Sequence, residues 1–233
     1  MELSIRLKTI IDVMDKCNNF VDVGTDHGYV PIFAVKHGIC ESAVASDINS
    51  GPVERAKKNI QNEGLTQKIY CRKGPGLSTV GKDEVEAAVI AGMGGNLIRD
   101  ILTEDLDKIK KMKFIIVQPA QNPEILREYL YTNKFDIIKE DLCIDEGKYY
   151  ELLKIRYNDD KSKLEMKDID YEISPYLMST RHPLILSYIN YKIHYYNKIR
   201  LYIKEDTDIS KERKRFIGDR IVKLEEMKQW LLS

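Results

Sequence analysis

Short, mostly apolar runs alternate with amphipathic stretches through the first two thirds of the chain. Runs at Phe20–Val23, Ala43–Ser46, Ile69–Arg72, Ala87–Ile90 and Phe114–Gln118 have strand length, and the most apolar suit strands buried on both faces of a parallel sheet. The intervening stretches Ser4–Met14, Pro31–Lys36, Pro52–Glu63, Gly95–Leu102 and Pro123–Thr132 predict helices, with Pro52 at a first helical position. The rhythm then changes. Phe135–Cys143 and Tyr149–Tyr157 are separated only by Asp145-Glu146-Gly147-Lys148, which predicts a hairpin closing the sheet with an antiparallel pair. Strand signals stop near Lys161. Ile185, Ile189, Tyr196, Ile199 and Ile203 share one helical face, beside a stripe of Leu184, Tyr188, Tyr191, Tyr195 and Tyr202. After a polar break at Glu205–Ser210, a second helical pattern runs through Ile217, Ile221, Leu224 and Leu231. Two long helices joined by a short polar connection predict an antiparallel helical hairpin. The expected organisation is an α/β domain over 1–157 and a helical appendage over 158–233.

The chemistry concentrates where the first strand ends. Asp22-Val23-Gly24-Thr25-Asp26-His27-Gly28 follows that strand and opens a helix, and Asp47 stands at the tip of the next strand. A strand, a glycine turn and an acid on the neighbouring tip form the nucleoside-binding corner of a doubly wound sheet. A dinucleotide loop would carry glycine where Asp26 sits, and a carboxylate there repels a pyrophosphate, which disfavours a nicotinamide dehydrogenase. An acidic loop suits a cofactor with a cationic end, such as S-adenosylmethionine. Asp22 could meet its amino group, and Asp47 could accept both ribose hydroxyls through its two oxygens. The competing reading is an ordinary glycine turn with Asp26 as a helix cap. Parallel strands closed by a hairpin are typical of Rossmann-like class I methyltransferases that use this cofactor, an analogy at the level of fold.

Composition narrows the rest. Thirty-seven basic residues balance 37 acidic ones over 233 residues, so no global field points to a polyanion. The distribution is uneven, with 15 Lys and Arg against 12 Asp and Glu between Asp160 and Ser233. That weak basic bias is compatible with nucleic acid. Cys17, Cys40, Cys71 and Cys143 form no CxxC pair and read as buried thiols, with no metal site or disulfide framework expected. No apolar stretch approaches membrane-spanning length and no leader-like segment is evident, so a soluble, cytoplasmic, membrane-free protein is expected, more readily a monomer than a stable oligomer.

Four further motifs sharpen the picture. Leu3-Ser4-Ile5-Arg6-Leu7 opens the chain, Ala91-Gly92-Met93-Gly94-Gly95 follows the fourth strand, Gln118-Pro119 closes the fifth, and Glu146-Gly147-Lys148-Tyr149-Tyr150-Glu151 marks the hairpin. With the acidic loop, they resemble the bacterial TrmK family, which methylates N1 of adenine 22 in tRNA. The resemblance is strong over about 2–157. It is looser over the C-terminal helices, which match the family's coiled-coil appendage. It implies S-adenosyl-L-methionine as cofactor, S-adenosyl-L-homocysteine as product and tRNA as partner. It implies that Gly24, Asp26 and His27 line the methionine part, Asp47 and Ile48 the ribose and adenine, and Ala91, Gly92, Met93 and Gly94 the methyl-transfer site. The family usually has Gly-Asp-Gly after the third strand, with its aspartate at the adenine amino group. This chain has Gly74-Pro75-Gly76, and the lost hydrogen bond would weaken cofactor affinity by roughly 1 kcal/mol.

The implied reaction is an in-line methyl transfer to the lone pair of adenine N1, which needs no strong base at the attacking atom. Positioning would then supply most of the catalysis, worth about 7–11 kcal/mol. The target base must also be exposed, at a cost of a few kcal/mol. Candidates to clamp it are Tyr29, His27 and Gln118, whose amide both donates and accepts; Asp26 could stabilise the cationic product base. For Tyr29 and His27, ordinary packing and a hydrogen-bonded loop residue are the competing readings. Candidate tRNA contacts are Arg6 and Pro119 at the site, and Lys8, Arg181, Lys192, Lys198, Lys211, Arg213, Lys214 and Arg215 beyond it. The alternatives are a methyltransferase for another RNA or a small molecule, and a catalytically weakened binding protein, for which Pro75 is the motive.

Overall fold

In a computed structural model, which describes residues 2–204 and 207–233, the chain divides into two compact units, Met1–Met166 and Lys167–Ser233. The first is built on a seven-stranded sheet. Its strands are β1 (Cys17–Val23), β2 (Cys40–Asp47), β3 (Ile69–Lys73), β4 (Ala87–Gly94), β5 (Phe114–Gln121), β6 (Phe135–Asp145) and β7 (Lys148–Tyr157). They lie in the order β3-β2-β1-β4-β5-β7-β6. β1 to β5 run parallel, and β7 enters antiparallel between β5 and β6. All seven expected strands are present, and several extend beyond their apolar runs.

Residue alternation along the strands divides the core into two layers. Phe20, Ala43, Ala45, Val89, Phe114 and Ile116 pack on one face, with Ile10 and Ile11 of α1 (Ile5–Asp12), Ile32 of α2 (Tyr29–Lys36) and Ile60 of α3 (Ser50–Asn62). Val21, Val44, Ala88, Ile90, Ile115 and Val117 pack on the other, with Ile98 and Leu102 of α4 (Gly95–Glu104), Ile109 of α5 (Leu106–Ile109) and Leu126 and Leu130 of α6 (Pro123–Thr132). Ser4 caps α1 by accepting from Leu7 N at 3.4 Å. The four-residue α5 carries too little pattern to be read from sequence.

The first unit continues past β7 because its backbone remains tied to the sheet. Asn158 N donates to Lys134 O (2.8 Å), Leu164 N to Tyr131 O (3.0 Å), and Lys161 Nζ reaches Phe135 O. The second unit comprises α7 (Asp168–Glu172), α8 (Pro175–Ser179), α9 (Ile185–Tyr202) and α10 (Asp208–Leu232). α9 packs against α10, and Arg181, before α9, donates to Leu231 O at the far end of α10 (2.9 Å), so the two helices are antiparallel. Of the polar break read at Glu205–Ser210, Glu205 and Asp206 lie outside the described residues, while Thr207 Oγ1 caps α10 by accepting from Ser210 N (3.2 Å). Two short helices, α7 and α8, precede the hairpin, where no element was expected.

Candidate active site

The strand order reverses between β1 and β4, which leaves a crevice at their carboxyl ends where ligands bind in open α/β sheets. Gly24 N and Thr25 N both donate to Ser46 O at 2.9 Å, which fastens the loop to the neighbouring strand. Gly24 adopts φ 76°, and a Cβ there would lie 2.5 Å from Met93 Cε, so any other residue would strain the backbone and displace the Met93 side chain. Register shifts in the β4–β5 pairing at Ala91, Met93 and Gly94 turn the end of β4 toward the same loop, as bulges often do beside functional sites.

Two clefts meet at Gly24. One, of about 330 Å³, is lined by Arg6, Asp22, Gly24, Thr25, Asp26, His27, Tyr29, Ala91 and Gly92. The other, of about 550 Å³, is lined among others by Gly24, Asp47, Ile48, Gly74, Pro75, Gly76, Met93, Leu97 and Asp105. Of the candidate cofactor residues, all but Gly94 therefore line one cleft or the other. Asp47 is buried and its Oδ1 accepts from Asn49 N at 2.9 Å, which fixes the carboxylate and leaves lone pairs open to the cleft. Ile48 and Leu97 are 59% and 52% exposed although they line this cleft, an apolar surface suited to a flat ring.

Asp22 is buried, and Thr25 Oγ1 donates to its Oδ2 at 2.6 Å. Burial pushes its carboxyl up to about 6, against the lowering effects of the Thr25 hydrogen bond and of Arg6, with Asp47 adding a further rise. A buried carboxyl facing a cleft is a candidate binding group for a cation. Arg6 is held in front of it: its Nη1 donates to Gln118 Oε1 (3.0 Å), its N to Asp145 Oδ2 (3.2 Å), and its guanidinium lies 5.6 Å from the Tyr150 ring centroid. This network links three of the sequence motifs in space.

Several candidate residues face elsewhere than the sequence suggested. Gln118 is fully buried, its carbonyl engaged by Arg6 and its Nε2 donating to Pro119 O (2.9 Å); it orients Arg6 and offers no free edge to a base. Pro119 is likewise buried. Asp26 is 57% exposed at its side chain and paired with Arg55 Nη2 at 2.5 Å, so its charge is already shared. Lys192 is turned inward: its Nζ lies 3.5 Å from Glu172 Oε1, a carboxylate that also accepts from Tyr196 Oη (2.8 Å). Arg213 and Arg215 are exposed on α10. His27 and Tyr29 stack on one another with centroids 5.1 Å apart, forming a flat ledge beside the smaller cleft. Arg55, Thr25, Leu97 and Asp105 were not singled out from sequence, because nothing in their local pattern announces a cleft.

The family model for tRNA (adenine(22)-N(1))-methyltransferase matches residues 20–226. The chain belongs to the TrmK family. The Bacillus subtilis tRNA (adenine(22)-N(1))-methyltransferase is 30% identical over 231 residues, covering 97% of both chains. The crystal structure of the B. subtilis family member superposes with a TM-score of 0.84 at 30% identity, covering 97% of this chain and 99% of that one. A Mycoplasma capricolum family member solved with S-adenosyl-homocysteine gives a TM-score of 0.82 at 26% identity, covering 98% of this chain and 99% of that one. The family match extends across both units, and with it the parallel sheet closed by a hairpin and followed by helices.

Proposed function

We propose that this chain transfers the methyl group of S-adenosyl-L-methionine to N1 of adenine 22 in tRNA, leaving S-adenosyl-L-homocysteine. The observation that carries the reading is the pair of buried carboxylates Asp22 and Asp47 flanking Gly24, in a chain matched by the family over most of its length. The donor set fits the cofactor part by part. Asp22 offers an anion to an ammonium, Asp47 a two-oxygen acceptor to a vicinal diol, and Ile48 with Leu97 an apolar lining to a base. Gly24 admits close approach between them. When bound, the cofactor supplies an electrophilic methyl group.

The protein's task is then to hold the acceptor base. The His27–Tyr29 ledge offers a stacking face worth about 1–3 kcal/mol per base. Gln118 and Tyr150 fix Arg6 at the rim, where its cation can take a phosphate or carboxylate oxygen. Asp26 contributes a negative field weakened by Arg55. No side chain need remove a proton from N1. For phosphate contact the exposed Arg213 and Arg215 are better placed than Lys192, whose charge is satisfied within its own unit.

Asp22 gives the site a pH dependence of definite sign. Its raised carboxyl means that the free folded protein holds this proton more tightly than the unfolded chain, so the group's effect on stability becomes less favourable as pH rises from about 4 past about 6. Ligand affinity runs the other way, because only the ionised carboxylate attracts an ammonium. Binding of S-adenosyl-L-homocysteine, followed by calorimetry from pH 5 to 8, is expected to tighten as pH rises through about 6. Asp22→Asn is expected to bind more weakly at pH 7.5 and to lose that step. A pH-independent wild-type affinity would remove Asp22 from the amino-group role.

The reading as a whole is tested by transfer of labelled methyl to unmodified tRNA transcripts carrying adenine or guanine at position 22. Adenine-dependent 1-methyladenosine, identified by mass spectrometry, is the expected product. Equal labelling of both transcripts would overturn the assignment of the target base.

A further inference from the structure

On the loop beside the larger cleft, position 75 supplies no carboxylate, and the side-chain acceptor that the loop does place at the cleft, Ser78 Oγ, is a neutral hydroxyl turned to Pro75 O. Pro75 has no acceptor in its side chain, and its carbonyl already accepts from Ser78 N (3.1 Å) and Ser78 Oγ (2.6 Å). Gly74 N is also engaged, donating to Asp47 O at 3.0 Å. The carboxylates lining this cleft are Asp47, Asp100, Glu104 and Asp105. Asp47 belongs to the ribose end. Asp100 is half exposed and tied to Arg99 by two contacts, at 3.0 and 2.8 Å. Glu104 is exposed on the last turn of α4.

Asp105 differs from all three. Its side chain is only 19% exposed, and it is fixed between α4 and α5 by Lys108 Nζ at 2.8 Å on Oδ1 and Leu77 N at 3.2 Å on Oδ2. Lys108 Nζ donates in turn to Leu77 O at 2.7 Å, so carboxylate and loop are locked together. Oδ2 lies 3.6 Å from the position a Cβ would take on Gly76, directly against the Gly74-Pro75-Gly76 turn. A carboxylate oxygen carrying one backbone N–H retains a lone pair for a second donor.

We propose that Asp105 accepts the exocyclic amino group of the cofactor's adenine, taking over from α4 and its following turn the recognition that position 75 cannot supply. Asp105 is thus the residue that makes the cleft specific for a 6-amino purine, held on Oδ2 by Leu77 N whether or not Lys108 is present. The proposal rests on the cofactor reading above and is tested so that the two fail differently. The full-length protein is titrated with S-adenosyl-L-homocysteine and with S-inosyl-L-homocysteine, which replaces the amino group by a carbonyl oxygen. Wild type is expected to prefer the adenosyl ligand by about 10-fold or more, the range of one charge-assisted hydrogen bond. Asp105→Ala is expected to compress that preference to within about 3-fold, mostly by losing affinity for the adenosyl ligand. Lys108→Met removes the ammonium that bridges Asp105 Oδ1 and Leu77 O but keeps the carboxylate and its bond from Leu77 N, and is expected to retain the preference even where both ligands bind more weakly. Equal wild-type affinity for the two ligands overturns the proposal, as does an Asp105→Ala or Asp105→Asn variant with an undiminished preference. Compression of the preference in Lys108→Met to the level of Asp105→Ala would reduce Asp105 to a structural tether and also overturns it. Failure of wild type to bind either ligand overturns the cofactor reading itself.

Discussion

Replacing Arg127 by Met is expected to destabilise the first unit by about 3–5 kcal/mol, the usual penalty for stripping a buried ion pair of one partner. Arg127, on α6, is fully buried, and its Nε and Nη2 donate to Glu140 Oε2 of β6 at 3.2 and 2.7 Å, while Nη2 also contacts Glu151 Oε2 of β7. Burial alone would push the guanidinium down; the two carboxylates outweigh it and raise it, so the cation persists. Remove it, and two buried carboxylates lose the guanidinium that both of them contact. For a domain of this size the melting temperature should fall by roughly 6–20 °C, at about 2–4 °C per kcal/mol. The combined variant R127M/E140L/E151L is expected to recover most of the loss, because apolar side chains of similar volume need no compensation there. A single Arg127→Met variant that melts with wild type would show that the triad contributes little to the fold.

The second large effect is expected from ending the chain after Met166. The remaining unit keeps its own two-layered core and both clefts. S-adenosyl-L-homocysteine affinity should therefore stay within about 2-fold of wild type. Methylation of tRNA should fall by about 100-fold or more, because phosphate contacts dominate nucleic-acid affinity and several of the exposed basic residues, including Arg213 and Arg215, are lost. The two readouts separate the explanations. Loss of both would mean that the first unit does not stand alone, and retention of tRNA turnover would remove the helices from substrate recognition.

The sheet was legible in the sequence because buried parallel strands write themselves as apolar runs, and every run from Phe20–Val23 to Phe114–Gln118 became a strand. Strand ends were harder to read. Cys17–Asn19 pairs along β2 through backbone hydrogen bonds that leave no hydrophobic signature. The cofactor corner was legible for a related reason, since Gly24 and Gly28 at φ 76° and 72° mark places where few other residues fit. Side-chain orientation was not legible. Gln118 stands at the strand tip as expected, but which of its neighbours would claim its amide depended on Arg6, 112 positions away. Lys192 carries the same ambiguity: a lysine on an amphipathic helix faces solvent or a buried acid according to what packs beside it, and Glu172 decides it here. Asp105 was invisible because its partners, Leu77 and Lys108, come from a loop and a helix too short to pattern.

The anchoring of Arg6 also sets a schedule for synthesis. Its backbone and side chain are held by Asp145, Gln118 and Tyr150, yet α1 leaves the ribosome well before any of them. The contact with Asp145 spans 139 positions. At translation speeds of about 5–20 residues per second, roughly 7–30 seconds separate the appearance of Arg6 from that of its last partners. Throughout that interval a nascent chain can form the Gly24 turn and pair β1 with β2. The rim of its acceptor cleft stays open until the closing hairpin arrives. An incomplete chain therefore carries Arg6 without the full set of partners that hold it.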